Sequence, residues 1–165
     1  MENITAITKG NIAKTAEQIN IIILRIDNLT DNLSKFHAFV LQQGSVAGLD
    51  VHLVNIQTTL IEARQLFEEQ RGLYEKLSEQ IELKEPFELG PSKGVAKAQK
   101  TLEEIRRNGY EILAKKSKLN QHTMILKSMI TIFQSQKTIP KTIEQMLKDI
   151  EAELKSLNKS VLWGC

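Results

Sequence analysis

Aromatic side chains make up only 5% of these 165 residues, and there are 8 glycines and 3 prolines. Strands draw on aromatic and β-branched residues and need frequent turns, so this shortage argues against a sheet and for long helices. A single cysteine, Cys165, excludes an internal disulfide and suits a reducing compartment. Long apolar runs are missing too. Ile21-Ile22-Ile23-Leu24 falls far short of the roughly 20 apolar residues needed to cross a bilayer. The opening Met1-Glu2-Asn3-Ile4 lacks the basic start and apolar run of a secretion signal. The expected location is the cytoplasm, with cytoskeletal or nuclear placement open, and not the exterior. A net charge of +2 does not by its total call for nucleic acid or an anionic membrane.

What the chain does have is rhythm. Ile19, Ile22, Ile26, Leu29, Leu33, Phe36 and Val40 return in steps of three and four. That average of about 3.5 residues makes a narrow apolar seam of the kind one helix offers another in a coiled coil. A second seam reads Leu53, Ile56, Leu60, Ala63, Phe67, Gln70, Tyr74, Leu77 and Ile81. Gln70 is its polar exception. It reads first as a tolerated, surface-leaning position, with a register-setting buried amide as the alternative. A third seam runs from Val95 through Leu119 to Phe133, weakened at Gly109, Lys116 and Thr123. Near its end Met124, Ile125, Met129 and Ile132 widen the stripe, which predicts the thickest core there. The fourth seam is Ile143, Leu147, Ile150, Leu154, Leu157 and Val161.

Breakers divide the chain. Gly44-Ser45 and Gly48, then Pro86, Gly90, Pro91 and Gly94, then Ile139-Pro140 interrupt the pattern. The expected fold is all-α: one elongated unit of about four long helices in antiparallel coiled-coil hairpins. The helices fall at roughly 11–43, 49–84, 94–137 and 140–162, with Asn11 as first N-cap and a loop at 85–94. Charge predicts one pairing. Residues 62–88 hold eight acids and four bases, a balance of −4, and residues 93–118 hold eight bases and three acids, a balance of +5. Folding back at the loop lays one along the other, and flanking charges of this kind set orientation in coiled coils.

Chemistry is thinly represented. His37, His52 and His122 fall on three different helices, without the spacing of a metal site. Cys165 has no local group to activate it. No cofactor, small-molecule substrate or enzymatic activity is expected. The expected partners are other helical subunits. They would be met through the seams of the first and fourth helices: Ile19, Ile22, Ile26, Leu29, Leu33, Phe36 and Val40 with Ile143, Leu147, Ile150, Leu154, Leu157 and Val161. The basic stretch reads first as the partner of the acidic helix. Its alternative is contact with an acidic surface such as a microtubule through Arg106, Arg107, Lys115, Lys116 and Lys118. Nucleic acid is not expected, since only Tyr110 interleaves with these bases.

Two resemblances bear on function. The run Leu119-Asn120-Gln121-His122-Thr123-Met124-Ile125-Leu126 resembles the last helix of flagellar export chaperones, which are small, helical and cytoplasmic. The whole layout is similar in style to small subunits of spindle and kinetochore complexes such as augmin. The second implies a non-enzymatic structural subunit of a cytoskeletal assembly, which is the preferred reading. The first implies a helical chaperone holding an amphipathic segment of its client.

Overall fold

The structure, a computed structural model, describes residues 9–43, 48–82, 92–136 and 140–159. They form four helices: α1 (Lys9–Gln43), α2 (Leu49–Glu82), α3 (Ser92–Gln136) and α4 (Lys141–Asn158). No strand occurs among the described residues. The helix starts differ slightly from expectation. α1 begins two residues earlier, so Asn11 is inside the helix and is not its cap. α3 includes Ser92 and Lys93, which the expected loop had claimed. The remainder of that loop, 85–91, lies outside the described residues, as does Val161. Before α2, Gly48 takes a positive φ of 79° that a side chain would resist, and its carbonyl accepts from the His52 amide. Pro140 stands at the N-cap of α4 without a side-chain cap, where a missing amide costs nothing.

Side-chain pairs give the topology. Across α1 and α2, Arg71 donates to Asn20, Arg64 to Asp27 and Gln57 to Ser34, so one number falls as the other rises. Glu62 pairs with Lys115 and Gln80 with Thr101, which makes α2 and α3 antiparallel as the charge balance predicted. Arg25 meets Ser156, and Thr123 meets Asn158, closing α4 onto α1 and α3. The result is an up-down-up-down bundle. α3 is its longest rod, about 68 Å at 1.5 Å per residue.

The core has two parts. The larger joins all four helices, with Leu33, Phe36, Leu53, Phe67, Ile112, Leu126, Leu147 and Leu154 among its members. The smaller joins Ile12 of α1, Leu77 of α2, and Ala98 and Ile105 of α3, beyond the reach of the shorter α4. One end is therefore four helices thick and the other three. Met124, Ile125 and Ile132 were expected to thicken the core, but they are 62%, 39% and 51% exposed. Two neighbours suffice to cover Leu126, Ile130 and Phe133, and the extra apolar residues turn outward.

Candidate partner-binding surfaces

A seam can meet another subunit only if its own chain leaves it open. Ile19, Ile22, Ile26, Leu29, Leu33, Phe36 and Val40 are each at most 3% exposed in the isolated chain, as are Leu147, Leu154, Leu157 and Ile143, with Ile150 at 4%. α2 and α4 pack on the α1 seam, and α1 and α3 on the α4 seam. The expectation that helices one and four present these stripes to other subunits is thus corrected: four narrow stripes on one chain satisfy each other. Any partner must use the outside of the bundle.

Inside the α2–α3 interface sits the feature that the sequence left ambiguous. Gln70 is fully buried, and its Nε2 donates to the Ile105 carbonyl at 3.1 Å. Asn108, 7% exposed, donates from Nδ2 to the Leu66 carbonyl and to Gln70 Oε1, each at 2.9 Å. Two amides thereby answer each other and the two helix backbones, which removes the penalty of burying them. Gln70 is a buried amide bonded across the α2–α3 interface and not a surface-leaning one. Asn108 was missed because it flanks the seam, and the signal was its place next to the seam position Gly109, across from the only polar position of the second seam.

The basic residues do not form one patch. Lys115 is bound to Glu62 at 3.0 Å, and Arg107 shares the α2–α3 cleft with Glu69, Glu104 and Glu111. Lys116 lies in the opposite cleft, against α4, while Arg106 and Lys118 are exposed. Successive helical residues are turned by about 100°, so five positions between 106 and 118 spread around the rod. Lys115–Glu62 is the one cross-helix acid–base pair between α2 and α3 among the described residues. Arg64 turns instead to Asp27 of α1, at 2.5 Å, and to Glu68, and these carboxylates hold its guanidinium pKa up.

The histidines are brought closer than their spacing implied. His37 Nε2 lies 3.4 Å from Asp50 Oδ1, which places the end of α1 beside the start of α2 without a hydrogen bond between them. His122 on α3 has both ring nitrogens buried without a hydrogen-bond partner, and so has His52 on α2 for its Nδ1. Burial lowers the His122 pKa below its ordinary value, and the charges of Lys118 and His52 lower it further. No group of three His, Cys, Asp or Glu side chains that could hold a metal occurs among the described residues. No described helix is long and apolar enough to cross a membrane.

The outside is not uniformly polar. On α2, Val51, Val54 and Ile61 are 63%, 47% and 48% exposed, at offsets of three and seven that keep them on one outward row. Leu41, 58% exposed, lies on the last turns of α1, which run antiparallel beside the first turns of α2. α2 thus carries a second, outer apolar row behind its buried seam. No protein-family model, curated protein or solved structure matches this chain.

Proposed function

We propose that this chain is a non-enzymatic helical subunit of a larger multiprotein complex, with a cytoskeletal assembly of spindle or kinetochore type as the preferred setting. The setting rests on similarity of layout. The binding role rests on one observation: the outward row Val51, Val54 and Ile61 on a helix whose inner stripe is already covered. A helix needing only its own bundle keeps the far face polar, and an exposed apolar row along one side of it marks a contact surface. A partner helix laid along α2 would cover it. Co-purification of the tagged chain from its own cells tests this. A partner is expected at fixed stoichiometry with the native chain and is expected to be lost with Val51→Glu, Val54→Glu and Ile61→Glu combined, while helicity is retained. Recovery of the chain alone, or of the same partner with the triple variant, would refute the proposal.

The chaperone alternative is favoured by one different observation. Within the run Leu119–Leu126, Met124 and Ile125 point outward, and methionine adapts to varied apolar clients. It predicts reversible, one-to-one binding that Met124→Glu weakens and the α2 variant does not.

A further inference from the structure

Three clefts along the described surface differ in charge. Between α2 and α3, Glu69, Glu104 and Glu111 offset Lys76 and Arg107, and between α1 and α4, Arg25 faces Glu153. The cleft between α3 and α4 is unlike both. It encloses about 450 Å³ and is lined by Leu113, Ser117, Asn120, Asn158 and three lysines, Lys116, Lys155 and Lys159, with no carboxylate. Among the described residues neither Lys116 nor Lys159 has an acid at ion-pair distance, and Lys155 reaches Glu151 only at 4.0 Å. Their neighbour Lys115, by contrast, is answered by Glu62.

Helix electrostatics accounts for part of this. Lys155 stands in the last turn of α4 and Lys159 is its C-cap residue, where cations near the free carbonyls are favourable. That reason does not extend to Lys116. It occupies a seam position in the middle of α3, where an apolar residue would stabilise the bundle, and it stands across from two like charges. Local rules broken without compensation inside a fold mark sites kept for something else. Beside the lysines, Leu113 and Tyr110 lie one turn apart on α3, 39% and 66% exposed.

We propose that the α3–α4 cleft receives an acidic segment of a partner protein, its carboxylates on Lys116, Lys155 and Lys159 and its apolar side chains on Leu113 and Tyr110. A nucleic acid fits less well: a duplex carries a charge about every 1.7 Å and would outrun three lysines on a chain of net charge +2. The proposal rests on the reading that the chain works by binding proteins, but the two fail separately, because the row on α2 and this cleft are different surfaces.

The probe is a dye-labelled peptide of glutamate–glutamate–leucine repeats, titrated with the full chain and followed by anisotropy. Binding is expected, weakening as salt rises. Lys116→Gln, Lys155→Gln and Lys159→Gln together should lower affinity by about tenfold or more, as loss of charge complementarity does. The control set Lys97→Gln, Lys100→Gln and Lys127→Gln should leave it within about twofold. Glutamine keeps the helix and most of the packing, and unchanged melting of both sets would show that folding is not the cause. Four results would overturn the proposal: no peptide binding; equal loss in both sets; tighter binding of a single-stranded oligonucleotide through the same lysines; or a change in the chain's own oligomeric state on mutating the cleft.

Discussion

Burying an amide between two apolar helices is destabilising unless its polar atoms find partners, and Gln70 and Asn108 find them in one bond to each other and in the Ile105 and Leu66 carbonyls. Asn108→Ala removes the Nδ2 donor from Gln70 Oε1 and from the Leu66 carbonyl in the α2–α3 interface and should cost about 1–3 kcal/mol, read from urea unfolding. Gln70→Leu with Asn108→Leu should cost less than the two single changes added together, since the two amides share a hydrogen bond. Additive losses would show that the amides act independently. His122 gives a second prediction at this scale. Its pKa is lowered in the folded chain, so the unfolded chain takes up the proton first. Stability from the neutral ring is therefore complete above the ordinary value of 6.5 and is lost as pH falls from there through the lowered folded value. Melting temperature should drop as pH falls below 6.5, and His122→Gln should flatten that part of the profile. An unchanged slope in the variant would assign the pH dependence elsewhere.

At the scale of the element, Gly72 is an exposed glycine in the interior of α2, and a methyl group built on it meets nothing within 4 Å. Gly72→Ala should stabilise the chain by about 0.5–1 kcal/mol, chiefly by restricting the unfolded backbone. A loss on thermal unfolding would mean that α2 uses that flexibility. Elements were also where the sequence was most readable. A three-four rhythm survives any tertiary arrangement that buries one face, so α1, α2, α3 and α4 could be placed to within a few residues, and every described seam position of α1 and α4 is buried. The antiparallel α2–α3 hairpin was legible from its opposed charges, although only Lys115–Glu62 closes into an ion pair between those helices among the described residues. What the rhythm could not reveal was which stripes face one another. A seam reads the same whether its cover comes from its own chain or from another, so the rhythm alone makes Leu33 and Leu154 look partner-facing. The outer row on α2 and the lysine cleft escaped for a related reason: both arise only when neighbouring helices fix which side is outside.

The described helices close their own seams, and the expected consequence is a chain that folds on its own. Purified alone, it should be strongly helical and unfold cooperatively. Its shape follows from helix length: α3 spans about 68 Å, whereas a compact domain of this size has a radius of gyration of about 15 Å. Scattering should return a larger value, near 20 Å, for the isolated chain. The same logic predicts what core substitutions do. Ile26 is fully buried, and Ile26→Ala should cost about 2–5 kcal/mol with no partner present. Leu33→Asp, which places a charge in the middle of the four-helix core, should unfold the isolated chain, as should Leu154→Asp from the opposite wall. Were these residues an interface, the same variants would fold normally alone and fail only in assembly. Circular dichroism of the purified Leu33→Asp chain separates the two cases: loss of helix without any partner fits self-coverage, and native helicity would mean that the cover of α1 belongs to another molecule.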